Sequence, residues 1–314
     1  MSPLEQALSD YLKLRRSLGH DLAGPGRVLP RFVAYLDARH APTITIEAAL
    51  SWCQQVPAPS TPGRASSVGS VRMTAVRGFA RYLSGIDPDT EVPPLGLMPY
   101  RAGWTPPFIY SPAHIEALMD AARTQIDSPL RAVTYQTLVG LLAVSGLRIG
   151  EAIKLDRADI DWDHGVLLIR ESKFGKTRLV PLHASSTAAL AGYAQIRDRL
   201  QPRSKDPSFF VSSTRKRLLY AVVRPTFRAL VTHVGIGADA PSPPRLHDLR
   251  HTFAVRTLLG WYRSGQDVQT RLPALSTYLG HREPASTYWY LSAAPELLAL
   301  AAARRDNAWQ APRS

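Results

Sequence analysis

Six side chains in the later part of this 314-residue chain are of types that could together break a phosphodiester bond. Tyr290 offers a phenol. Arg148, in Ser145-Gly-Leu-Arg-Ile-Gly-Glu151, and Arg250, in His247-Asp-Leu-Arg250, offer guanidiniums. Lys173, in Ser172-Lys-Phe-Gly-Lys-Thr-Arg-Leu-Val-Pro181, offers an amine, and His247 and His281 offer imidazoles, the latter closing Leu279-Gly280-His281. Moving a phosphoryl group needs a nucleophile, donors that neutralise the extra charge on a pentacoordinate phosphorus, and a proton for the departing oxygen. A phenol can attack phosphorus and hold the group covalently, conserving the bond energy so that the reverse attack needs no ATP. Guanidiniums present planar forks to non-bridging oxygens, which an ammonium does not reproduce. This parts list calls for no metal. Taken singly, each residue has a plainer reading: Arg148 as a solvated or salt-bridged charge, Lys173 as an exposed turn lysine, Gly280-His281 as a helix end.

The elements that must position these groups follow from the apolar pattern. Leu8, Tyr11 and Leu12, then Val28, Leu29, Phe32, Val33 and Leu36, then Ile46, Leu50 and Trp52, then Val71, Val76, Phe79 and Leu83 recur at helical spacing and predict four helices. Gly24-Pro25-Gly26 and the 57–62 stretch separate them. Seven prolines between 86 and 112 oppose continuous helix and predict a semi-rigid linker over 86–111. Beyond it, helices are expected over 113–122, 130–144, 184–200, 218–234, 247–261, 272–279 and 295–304. Segments 159–162, 166–170 and 178–182 are separated by turn signals and predict a three-stranded antiparallel sheet. The fold class is mainly α, with an N-terminal helical bundle over 1–85 and a mixed helical domain with one small sheet over 112–314. His247 and Arg250, three apart, project from one helical face.

Composition points to a polyanionic partner. The chain carries 38 Lys plus Arg against 25 Asp plus Glu, a net charge of +13, and residues 1–100 hold only 10 of the basic and 8 of the acidic groups, so 11 of those charges lie with the motifs. A lone cysteine, Cys53, excludes an internal disulfide framework and reads as a small buried hydrophobe. The amino-terminal residues do not form a basic-then-apolar leader, and the apolar run near 138–147 is too short to span a bilayer, so a cytoplasmic location is expected, with no membrane partner. His247 and His251 are four apart, as zinc ligands on a helix can be, but no third ligand is apparent and none is expected.

The motif order, with Tyr290 nine positions beyond His281, resembles the tyrosine recombinases, the phage-integrase family. The sequence around 275–292 looks most like recombinases of bacterial transposons and integrative elements, and the 31 positions between Arg250 and His281 exceed the spacing of the chromosome-dimer resolving members. The resemblance implies a SAM-like core-binding domain ahead of a catalytic domain. It selects Tyr290 over its neighbour Tyr288 as nucleophile and makes Lys173 the general acid to the leaving 5′ oxygen. It also makes His247 an acid/base partner of the tyrosine, His281 a phosphate donor, and Glu151 a supporting acid with an orienting role. It further implies inverted DNA half-sites, a homotetramer on double-stranded DNA formed from free monomers, a Holliday junction, sister recombinases or an accessory factor, and no cofactor. The helix at 295–304 would dock on a neighbouring protomer or pack in cis. On the fourth helix Arg64, Arg72, Arg77 and Arg81 are DNA-binding candidates, as are Arg215, Lys216, Arg217, Arg224 and Arg228; the plainer alternative for both sets is a solvated polar face. Two other functions share the pattern: relaxation of supercoils in the manner of a type IB topoisomerase, and silent sequence-specific DNA binding.

Overall fold

The computed structural model describes residues 2–55, 68–98, 106–170, 177–202, 205–281, 283 and 287–290. Their contacts divide the chain into two units, Met1–Trp104 and Thr105–Ser314.

The first unit has the four expected helices: α1 (Pro3–Ser17), α2 (Pro25–Asp37), α3 (Ile46–Gln54) and α4 (Val68–Leu83). Ser2 starts α1 through a reciprocal pair with Glu5, and the Thr45 hydroxyl caps α3 by accepting from Ala48 N–H. Leu29, Phe32, Leu36, Trp52, Met73, Val76 and Phe79 form the core. At Gly69 a Cβ would lie 2.8 Å from the Cys53 carbonyl, so glycine permits the close approach of α4 to the end of α3. Residues 86–98 are tied to this unit: Glu91 N–H donates to the Ile44 carbonyl at 2.8 Å, and Ile46 N–H donates to the Glu91 carboxylate at 2.6 Å.

The second unit opens with α5 (Pro112–Gln125) and α6 (Pro129–Ser145), then α7 (Ile149–Lys154). Strands β1 (Ile160–Asp161), β2 (Val166–Ile169) and β3 (Arg178–Pro181) form an antiparallel sheet in the order β1-β2-β3, with Leu167 opposite Val180 and Ile169 opposite Arg178. Helices α8 (Ala184–Leu200), α9 (Tyr220–Val234), α10 (Leu246–Arg263) and α11 (Val268–Leu279) follow, and residues 287–290 are helical. One cluster gathers Tyr110, Leu138, Leu142, Leu167, Val180, Phe209, Phe210 and Leu249. A second joins Val255 and Leu258 of α10 to Leu272, Leu275 and Leu279 of α11, and includes Tyr290. The expected meander and helices are present where described; the segment expected as a helix over 295–304 lies outside the described residues. Helices α5 and α10 run two or three residues past their expected ends, and two helix starts differ from expectation by two residues or more. Helix α11 begins at Val268 rather than Leu272, because the Asp267 carboxylate caps it by accepting from Gln269 N–H at 2.9 Å, and Pro273 sits inside the helix instead of starting it. Helix α9 begins at Tyr220, with Pro225 inside it.

Candidate active site

Three elements bring the site together at the carboxyl end of α11. An α-helix leaves its last carbonyls without intrahelical partners, and the dipole makes that end attractive to cations. Here Tyr278, Leu279 and Gly280 each offer a carbonyl to a different arginine. Arg178 Nε donates to Tyr278 at 2.8 Å, Arg250 Nη2 to Leu279 at 2.6 Å, and Arg148 Nη2 to Gly280 at 3.1 Å. Gly280 carries φ +67°, and a Cβ there would stand 2.8 Å from the Arg178 guanidinium. Glycine is required by both the left-handed turn and the space.

Arg148 reaches this point from the N-cap of α7, immediately after Gly146 turns the chain out of α6 with φ +60°. The Gly146 carbonyl in turn accepts from Arg250 Nη1 at 2.8 Å, so Arg250 bridges the ends of two helices while only 2% exposed. Glu151 is the hub of the charges. Its Oε1 accepts from Arg148 Nη1 at 2.7 Å and Arg178 Nη1 at 3.1 Å; its Oε2 accepts from Arg178 Nη2 at 2.8 Å and Arg148 N–H at 3.0 Å. Burial alone would raise the Glu151 carboxyl, but the Arg178 hydrogen bond and charge, with those of Arg148, outweigh it and hold the group below its ordinary range. Two guanidiniums thus share one carboxylate, and the third, that of Arg250, has backbone carbonyls as its partners. The excess positive charge shows on the neighbours: burial first and the Arg148 charge second pull Arg250 down to about 10.

The imidazoles feel the same field. Burial, then the Arg250 charge, lowers His247 to about 4, and burial followed by Arg250 and Arg148 lowers His281 to about 4. Both rings are therefore neutral near pH 7 in the folded chain. His281 Nδ1 lies 2.7 Å from the Thr287 hydroxyl, which ties the end of α11 to the turn bearing the tyrosine.

Tyr290 is 2% exposed, its ring nearly parallel to that of His281 with centroids 6.0 Å apart. His251 and Trp289 close on it at centroid distances of 5.4 Å each. Burial raises the phenol above its ordinary value, opposed by the charge and hydrogen bond of Arg250 and the charge of Arg148. Tyr288, two residues earlier, is half exposed.

The structure therefore brings Arg148, Glu151, His247, Arg250, His281 and Tyr290 to one place, while Lys173 lies outside the described residues. The expected DNA-contact residues divide. Arg81, Arg215, Lys216, Arg224 and Arg228 are exposed. Arg72 donates to the Gln55 carbonyl at 2.9 Å and its guanidinium stacks on Trp52, Arg77 donates to the Pro93 and Pro94 carbonyls at 2.7 and 2.8 Å, and Arg217 bonds Asp156 at 2.6 Å. Arg64 lies outside the described residues. His247 and His251 pack edge to face at 4.6 Å, and no group of three possible metal ligands occurs among the described residues. Nor is any described helix long and apolar enough to cross a membrane. Sequence reasoning missed Arg178; its only local signal is an arginine at the start of a strand, since its partners lie 27 and 100 residues away.

The second unit is thus a mainly helical domain with a three-stranded meander, in which an arginine-rich cradle stands beside a buried tyrosine. The phage integrase family matches residues 110–296, and the chain belongs to that family, the tyrosine recombinases. An integrase/recombinase of Sinorhizobium fredii, y4rB, is 43% identical over 320 residues, covering 99% of this chain and 99% of the relative. Tyrosine recombinase XerD of Caulobacter vibrioides is 30% identical over 240 residues, 76% of this chain and 74% of that one. Among solved structures, the Tn1549 transposon integrase in complex with transposon right end DNA superposes with a TM-score of 0.63 at 16% identity, covering 95% of this chain and 98% of that chain. That last likeness is one of fold.

Proposed function

We propose that this chain is a site-specific recombinase that cuts and rejoins double-stranded DNA through a 3′-phosphotyrosine at Tyr290, without metal or nucleotide. The observation that carries this is the placement of the Tyr290 phenol against Arg250 and Arg148, in a site where Arg148 and Arg178 share the single carboxylate of Glu151. In the forward step the Tyr290 oxygen forms a bond to phosphorus, the bond from phosphorus to the 5′ oxygen breaks, and that oxygen leaves with a proton. Arg148 and Arg250 hold the non-bridging oxygens, and His281 adds a hydrogen bond. His247, neutral and three residues from Arg250 on α10, receives the phenol proton. Lys173 supplies the proton to the 5′ oxygen. Rejoining runs the same bonds in reverse, with a 5′ hydroxyl as nucleophile.

The helical unit over 1–85, with residues 86–98 tied to it, supplies a second DNA-binding surface in addition to that of the catalytic domain 112–314. Exposed Arg81, Arg215, Lys216, Arg224 and Arg228 contact phosphates, whereas Arg72, Arg77 and Arg217 hold backbone and acid partners of their own. One nucleophile per chain and four strands in two duplexes require four protomers on paired, inverted half-sites, with strands exchanged in two pairs through a Holliday junction.

The test uses nicked duplexes built from inverted repeats bordering the gene, which trap the covalent complex for denaturing electrophoresis. The unmodified protein is expected to give a protein–DNA band and Tyr290→Phe none, with DNA affinity retained. A band that survives Tyr290→Phe but vanishes in Tyr288→Phe would overturn the nucleophile assignment; no band with the unmodified protein would favour DNA binding alone.

A further inference from the structure

We infer that Arg178, on β3, is a positioning residue for strand cleavage that acts through Glu151 and the carboxyl end of α11; this rests on the reading of the site given above. Arg178 is 10% exposed at its side chain and makes three hydrogen bonds, to both oxygens of Glu151 and to the Tyr278 carbonyl, beside a Gly280 turn with no room for a side chain. Arg148 and Arg250 both act on the Tyr290 phenol, whereas the hydrogen bonds of Arg178 go to Glu151 and the Tyr278 carbonyl. Its charge reaches instead the groups around them: Glu151, Arg250, Tyr278 and His281. It stands one layer back from the reacting atoms.

The physical consequence concerns how Glu151 divides its charge. With Arg178 in place, the carboxylate serves two guanidiniums through three hydrogen bonds and the Arg148 backbone N–H through a fourth, and Arg148 is oriented without being neutralised. Without Arg178, the whole negative charge of Glu151 falls to Arg148, which is drawn toward the acid and away from a phosphate. The turn that presents His281 loses its Tyr278 anchor at the same time. A lysine restores the charge but not the geometry, because one ammonium cannot bridge two carboxylate oxygens and a carbonyl as a guanidinium fork does. Groups that orient a reacting shell in this way are worth roughly 10–100-fold in activity.

The experiment measures the rate of covalent complex formation at saturating protein on the nicked duplexes, alongside DNA affinity and the thermal midpoint. Arg178→Met and Arg178→Lys are expected to slow cleavage by roughly 10–100-fold while DNA affinity holds. Adding Glu151→Gln to Arg178→Met is expected to recover part of the rate, since the uncompensated carboxylate is then gone. Cleavage unchanged in Arg178→Met overturns the inference, and so does a double variant no faster than the single one. A parallel loss of affinity and thermal midpoint in both single variants also overturns it, because that is the signature of a structural arginine. Should Arg178→Met fail to fold, Arg178→Gln, equally uncharged, with and without Glu151→Gln gives the same comparison. Absence of the band with the unmodified protein would instead count against the reading of the site as a whole.

Discussion

Arg250 shows why residue type matters more than charge in this site. Its guanidinium joins the Gly146 and Leu279 carbonyls from a position that is 2% exposed, and still has N–H groups for other acceptors. Lysine keeps the charge but cannot span both carbonyls and a phosphate. Arg250→Lys is therefore expected to lower the cleavage rate by about 10²–10³, the typical cost of losing one charge-stabilising donor, as read by single-turnover formation of the covalent complex. A rate within threefold of the unmodified protein, on the order of 0.7 kcal/mol, would show that the fork is dispensable. The histidines give a second test. Burial, followed by neighbouring positive charge, lowers His247, His251 and His281 from 6.5 to about 4, about 3 and about 4. The unfolded chain therefore binds protons first as pH falls through 6.5, so the contribution to stability is complete above that pH and declines below it toward the folded values. The thermal midpoint is expected to fall between pH 7 and 5, and to fall less steeply in His251→Leu; a midpoint that rises on acidification contradicts the assignment. The motif residues are legible in sequence because their chemistry is uncommon as a set and their intervals are short. Arg178 is not, because its meaning comes from Glu151 and Tyr278, which only folding brings to it.

At the level of elements, the carboxyl end of α11 does the organising. Its three terminal carbonyls receive arginines from β3, α10 and the N-cap of α7, so the site depends on where one helix stops. Gly280→Ala places a side chain in a left-handed backbone conformation and against the Arg178 guanidinium. It is expected to cost about 1–3 kcal/mol in urea unfolding, and to slow cleavage beyond what an equally destabilising core substitution does. Equal effects of the two on cleavage would mean that the turn is merely structural. Elements with strong periodicity, such as α2, α4 and the meander, are legible because the apolar pattern and the turn residues agree. The start of α11 is not, since Pro273 reads as a first-turn residue and the Asp267 cap outweighs it. Helix α7, only six residues long, leaves too short a pattern to read; the Gly146-Leu-Arg148 turn is its signal.

Across the whole molecule, the charge imbalance and the two-unit architecture belong together. Eleven of the thirteen net positive charges fall beyond residue 100, and the exposed Arg224 and Arg228 of α9 are among them. Replacing both with alanine is expected to flatten the slope of log affinity against log salt by about two, with binding weakened alike for specific and unrelated DNA. An unchanged slope would remove α9 from the DNA interface. The change in patterning near the prolines predicts a linker over 86–111, and the contacts divide the chain between Trp104 and Thr105. What the sequence could not convey is that Arg77 fastens α4 to the Pro93 and Pro94 carbonyls, since neither residue type announces such a partner. Tyr290 carries the last consequence. It packs in one hydrophobic cluster with Leu258, Leu272, Leu275 and Leu279. The ring is gripped by the α10–α11 layer while its oxygen faces Arg250 and Arg148, so a group joined to that oxygen would be held by a residue rooted in the hydrophobic core.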